Sequence, residues 1–181
     1  IIKIFSMSNE YNFLNLTKDL CAIKTGIVEK NNDVFFNRIE EEIPLRLFSV
    51  ASGSEYNGWI VPDQWSVKKA SIYFNNKEIY NGTKHPLGVA QYSQSFSGKL
   101  NLSDLKKHLY YNNNEKIKDA HMYHCSWLYK PWTKEWGLTP PASLVNKLTE
   151  GDYIVDLETS FKDGEMIIAD CHIEGQTNNT I

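Results

Sequence analysis

The sequence predicts an α+β fold: two N-terminal helices, then a mostly antiparallel β-rich unit, then returning strands. Three observations predict it. Apolar residues recur at offsets of three and four between Asn12 and Lys24; helical periodicity stops at Pro44; and from Gly53 to Gly98 short aromatic and β-branched runs alternate with turn-forming clusters.

Phe13, Leu16, Leu20 and Ile23 fall on one helical face, and Gly26 closes that helix. A second helix is expected to start at Asn31, Asn32 and Asp33, whose short polar side chains can cap free amides. Phe35, Phe36, Ile39 and Ile43 form its buried stripe, with Glu40, Glu41 and Glu42 facing outward as a solvated surface. Pro44 ends it, lacking an amide hydrogen and clashing with the preceding turn, and Leu45, Leu47 and Phe48 begin an extended segment.

In the β-rich unit the runs are Trp59–Val61, Ala70–Phe74 and Val89–Tyr92. Asn75-Asn76, between Ile72-Tyr73-Phe74 and Ile79-Tyr80, predicts a tight hairpin whose central residues need the positive φ that Asn tolerates; Asn81-Gly82 supplies another turn. Ser103 is expected to cap a short helix to Tyr110 with Leu105 and Leu109 inward, and Asn112–Lys118 to form an exposed loop. After Pro140-Pro141, Leu144, Val145 and Leu148 suit one helical turn. Tyr153, Val155 and Leu157 alternate with Asp152, Asp156 and Glu158; Met166–Ile168 follow a turn at Asp163-Gly164, which predicts neighbouring antiparallel strands.

A chain of 181 residues, 41% hydrophobic and 23% charged, suits one globular domain, or one with an insertion, and excludes disordered and coiled-coil classes. The net charge of -3 leaves no cationic excess to neutralise phosphates, so nucleic acid is not an expected partner. No apolar stretch approaches the roughly 20 residues of a membrane span, and Ile1–Glu10, with Lys3 its one basic residue, does not read as a signal peptide. Cys21, Cys125 and Cys171 are widely spaced and odd in number, which argues against a disulfide framework and for a reducing, cytoplasmic setting. The chain lacks a Met at position 1 and ends on Ile181 after the polar run Gln176–Thr180; we expect a piece of a longer polypeptide.

Catalytic groups are sparse. Of His85, His108, His121, His124 and His172, the pair His121 and His124 could meet only on a helix, whereas Ala120–Trp127 reads at least as well as extended, which turns the two rings to opposite faces. Cys125 beside His124 reads as a buried thiol, because a nucleophile and its base are assembled by the fold rather than by adjacency. There is no phosphate loop, nucleophile elbow or H-E-x-x-H motif. No catalytic or metal-binding residue is therefore assigned. Trp127, Tyr129, Trp132 and Trp136 are dense in aromatic surface and interleaved with Lys130, Thr133, Lys134 and Glu135. Of these, Tyr129, Trp132 and Trp136 are the candidates for contact with a substrate, and core packing is the competing reading. Trp59 and Trp65 follow more weakly.

The order of segments resembles a family, the aminopeptidase-like proteins of zinc exopeptidase type that carry an inserted domain of unknown function and often accompany surface-polysaccharide biosynthesis genes. The similar stretches are Ile43-Pro44-Leu45, Ser52-Gly53-Ser54-Glu55, Gly58–Trp65, Val89–Ser93, Gly98-Lys99-Leu100, Leu105, His108-Leu109, Trp136-Gly137-Leu138, Glu150–Tyr153, Asp163–Met166 and Ile173-Glu174-Gly175. The W-x-V-P-like segment Trp59–Pro62 is the most specific of them, while the passage from Ser126 to Trp136 is longer than usual for the family, with extra residues near Lys130–Trp132.

The resemblance implies residues 1–55 as the helical start of an aminopeptidase-like domain, 56–125 as the inserted β-rich domain and 126–181 as the return, ending before the metal motif. It implies zinc in the parent protein, held by ligands beyond this chain, and a peptide-like or glycan-related small substrate. His172 falls in the preceding strand and takes no ligand role. The chain alone is expected to be inactive. The rival reading is a non-catalytic module that binds a glycan or a protein.

Overall fold

The computed structural model describes residues 13–130 and 132–173, so the expectations for Ile1–Asn12, Pro131 and Glu174–Ile181 lie outside the described residues. Helix α1 spans Phe13–Ala22 and α2 Asn32–Glu40, where the periodicity places them. The N-cap of α2 differs in detail. Asn31 occupies it without a side-chain bond, while Asn32 donates to Gly26 O at 2.7 Å and so ties down the preceding loop. Beyond the helix end, Glu41 and Glu42 both reach Arg38 Nη1 at 3.0 Å. The expected stripe on α2 is only half-buried at Phe35, Phe36 and Ile39 and exposed at Ile43.

Four strands make the main sheet: β4 (Gln64–Phe74), β5 (Lys77–Asn81), β6 (Phe96–Asn101) and β7 (Asp152–Lys162), in the antiparallel order β5-β4-β7-β6. Asn75 and Asn76 turn the β4–β5 hairpin at φ of 50° and 60°, as the sequence predicts. Central β7 carries the alternation expected of it: Tyr153, Val155 and Leu157 are buried and Ile154 is exposed. The sheet draws β4, β5 and β6 from residues 56–125 and β7 from residues 126–181.

Against the buried face of the sheet lie helix α3 (Leu102–Lys106), capped by Asn101 rather than Ser103, and helix α4 (Ala142–Val145), entered from Pro141. Leu102, Leu105, Leu109, Leu138 and Val145 close the core over Trp65, Ile72 and Tyr153. Each such side chain stabilises the fold by about 1.5–3 kcal/mol relative to exposure. Val89–Tyr92 makes a single bridge, Val89 to Leu138, and not a strand.

Two pairs of strands stand apart from this sheet. β1 (Arg46–Ala51) pairs antiparallel with β8 (Glu165–Asp170), from Arg46 opposite Asp170 to Ala51 opposite Glu165. A two-residue hairpin, β2 (Glu55–Tyr56) and β3 (Trp59–Ile60), follows β1. β7 and β8 are thus not neighbours, contrary to the sequence expectation, because Ser52 captures the link between them. Ser52 N donates to Gly164 O at 2.9 Å, Gly164 N donates to Ser52 Oγ at 3.0 Å, and Oγ donates to Pro62 O at 2.8 Å. A Cβ at Gly164 would lie 2.7 Å from Val28 Cγ1, so a larger residue here would have to displace that buried valine.

Candidate functional site

The residues around position 92 are held from several directions. Ser93 is fully buried; its Oγ donates to Ala90 O at 2.6 Å and accepts from Gly137 N at 3.1 Å. Trp65 Nε1 donates to Ser93 O at 2.9 Å, Gln91 N to His124 O at 2.8 Å and Gln94 N to Glu135 O at 2.9 Å. These bonds fix the backbone on both sides of Tyr92 and leave it at φ 64°, a conformation that costs a bulky residue about 1–3 kcal/mol and is found at ligand clamps. Its ring stacks on Trp65 at 5.9 Å and tilts against Phe161 at 6.3 Å. Burial, helped by Glu29 and Asp63, pushes the phenol up, so it stays a protonated donor, bonded to Asp63 O at 3.2 Å.

Tyr92 opens onto a cleft of about 310 Å³, at the small end of ligand sites. Ile60–Asp63 line it from the segment that resembles W-x-V-P; Trp127, Leu128, Lys130, Thr133 and Lys134 line it from the loop before Trp136; Gln94 and Phe161 complete it. Among the described residues, neither Lys130 nor Lys134 has a carboxylate within ion-pair distance, and the Asp63 carboxylate has no cation. The cleft therefore joins ring faces to free charges of both signs. A wider groove of about 450 Å³ beside α4, lined by Phe74, Ile79, Leu144, Leu148 and Tyr153, has Lys147 as its sole charged group.

The candidate substrate contacts of the sequence separate in space. Trp136 is 7% exposed and lies between Phe96, at 4.3 Å and 11°, and His108, at 4.0 Å and 9°, with a ring on either face. Tyr129 and Trp132 are 58% and 74% exposed; they flank cleft residues in the chain without lining the cleft themselves. Trp127 is buried against Tyr110 and His124 and does line it. Asp63, Tyr92, Gln94 and Phe161 were not singled out from the sequence as functional residues; the family-like stretches Gly58–Trp65 and Val89–Ser93, which hold Asp63 and Tyr92, were the nearest signals, and the φ of Tyr92 has none.

His85, His108, His121 and His124 pack against other rings, while His172 is exposed. His121 donates from Nδ1 to Thr139 O at 2.6 Å and stacks on His85 at 4.0 Å. His124 turns instead toward Tyr110 and Trp127, its buried Nδ1 without a partner among the described residues. Burial lowers the pKa of both, opposed at His121 by the bond to Thr139. No group of three or more His, Cys, Asp or Glu among the described residues is placed to hold a metal ion, so the zinc implied by resemblance has no fitting site in them.

A family model described as a domain of unknown function (DUF2172) matches residues 64–160, the stretch that holds β4, β5, β6 and all but the last two residues of β7. A Clostridium acetobutylicum protein named "Putative polysaccharide biosynthesis protein with aminopeptidase-like domain" is 27% identical over 175 residues, covering 94% of this chain and 38% of its own length. A crystal structure of a "putative peptidase" from Clostridium acetobutylicum superposes with a TM-score of 0.69 at 26% identity, over 84% of this chain and 35% of that one. The chain thus spans little more than a third of the length of the relatives it matches.

Proposed function

From the premise that this chain belongs to the DUF2172 family, we propose that it is the insertion-bearing part of an aminopeptidase-like hydrolase, with the insertion running from Ser52 to Gly164. The observation that carries this reading is a contrast in burial. The main sheet packs a closed core on one face, whereas Leu14 on α1, Val34 on α2, Leu47 and Phe48 on β1, and Ile168 on β8 are exposed. Leu47 and Phe48 are successive strand residues and face opposite sides, so the ribbon exposes apolar side chains on both faces, which suits cover by a further domain. The names of the two relatives, and the share of their length that lies outside the match, support a larger peptidase-type domain as the cover.

In this reading α1, α2, β1 and β8 are the edge of the hydrolase domain, and the Ser52–Gly164 bonds pin the insertion where its chain leaves and returns. Zinc and its ligands belong to the remainder of the longer polypeptide, where the metal would activate water for attack on an amide. The substrate is a small peptide-like or glycan-related molecule. The free thiols of Cys21, Cys125 and Cys171 support a reducing, cytoplasmic setting, and no helix among the described residues is long and apolar enough to cross a membrane.

Hydrogen exchange tests the reading. Amides of β1 and β8 should exchange at least tenfold more slowly in a polypeptide of the relatives' length than in the 181-residue chain, while those of β4 and β7 match in both. Equal exchange of the ribbon in the two would refute it. The aromatic and charged cleft favours a second reading, a non-catalytic binding module, which needs no metal.

A further inference from the structure

We propose that the cleft between Ile60–Asp63 and the Trp127–Lys134 loop binds an acidic monosaccharide, a sugar ring bearing a carboxylate. This goes beyond the hydrolase reading and holds whether or not the parent protein cleaves amides.

The chemistry follows from the lining. Lys130 and Lys134 both line the cleft, exposed and without carboxylate partners among the described residues, so either can offer its ammonium group to a carboxylate. Asp63, itself without a cation among the described residues, would repel a second carboxylate but accepts hydrogen bonds from hydroxyl groups, and Gln94 and Thr133 extend that hydroxyl-binding set. Tyr92 and Phe161 meet at 46° rather than in parallel, so they do not form a slot for a flat aromatic ring. Each can instead support the C–H face of a puckered sugar ring, and Phe161 is 37% exposed. A volume of about 310 Å³ admits one such ring.

Tyr92 supplies a second, independent indication. Its left-handed φ is enforced by the bonds of Gln91, Ser93 and Gln94. Loop backbone at Ala90, His124, Glu135 and Gly137 thus holds the strained residue whose ring lines the cleft.

The test is titration of the 181-residue chain with sodium glucuronate, followed by amide chemical shifts, with glucose and N-acetylphenylalaninate as controls. We expect saturation on the order of 1 mM, with shifts centred on Asp63, Tyr92 and Phe161. Glucose, and the K130Q/K134Q double variant with glucuronate, should each bind at least tenfold more weakly; these lysines are exposed, so the variant keeps the wild-type spectrum elsewhere. No saturation by glucuronate, equal binding by the double variant, or tighter binding of N-acetylphenylalaninate than of glucuronate would each overturn the assignment.

Discussion

Replacing Trp136 by alanine removes a ring that is sandwiched between Phe96 and His108 and is 7% exposed. Truncation of a buried tryptophan costs about 3–5 kcal/mol, because the space it leaves closes only in part. The two stacking contacts place this site in the upper half of that range. Against a whole-domain stability of about 5–15 kcal/mol, the loss is a large fraction. With a urea slope of about 2 kcal/mol/M, a loss of about 4 kcal/mol moves the unfolding midpoint down by roughly 2 M. Trp132→Ala, at 74% exposure, should change stability by no more than about 0.5 kcal/mol. Urea titrations followed by far-UV circular dichroism of both variants decide the matter. Equal midpoint shifts, or less than about 1 kcal/mol lost at Trp136, would refute the placement of that ring in the core and restore it as a candidate ligand contact.

Three further outcomes can be checked on the same chain. Ser52→Ala leaves Gly164 N without its acceptor and should cost about 1–3 kcal/mol, with faster proteolysis near Ser52 and Gly164; unchanged cleavage would remove the clasp from the account. Asn76→Val places a β-branched residue at φ 60° and should lose about 1–3 kcal/mol, while Asn76→Gly stays within about 0.5 kcal/mol of wild type; equal effects would speak against the hairpin geometry. His121 and His124 have folded pKa values lowered by burial, so the unfolded chain binds more protons in the window below its own value of about 6.5. Stability is then fully present above pH 6.5 and falls as pH drops toward the folded values; a denaturation midpoint unchanged between pH 7.5 and 5.5 would contradict this.

Local rules made much of the fold legible. The alternation at Tyr153, Val155 and Leu157, the Asn75-Asn76 turn and both front helices are short-range patterns, and they sit where the sequence places them. The partnership of β1 with β8 was not legible, because it joins residues more than a hundred positions apart through Ser52 and Gly164, neither of which carries a distinctive local pattern. Adjacency in sequence suggested β7 with β8 instead. At the cleft, aromatic density drew attention to the loop from which Trp127, Lys130 and Lys134 line it, although Tyr129, Trp132 and Trp136 do not. The opposite wall was not legible as a site: Tyr92 is a half-buried tyrosine in an ordinary run until the bonds of its neighbours fix its φ.

The most direct test of the hydrolase reading is elemental analysis of a polypeptide extended to the relatives' length, paired with aminopeptidase assays before and after chelation. The account predicts stoichiometric zinc in the extended protein and none in the 181-residue chain, with any turnover lost on chelation and restored by zinc. An extended protein that folds, covers the β1–β8 ribbon and holds no metal would contradict it.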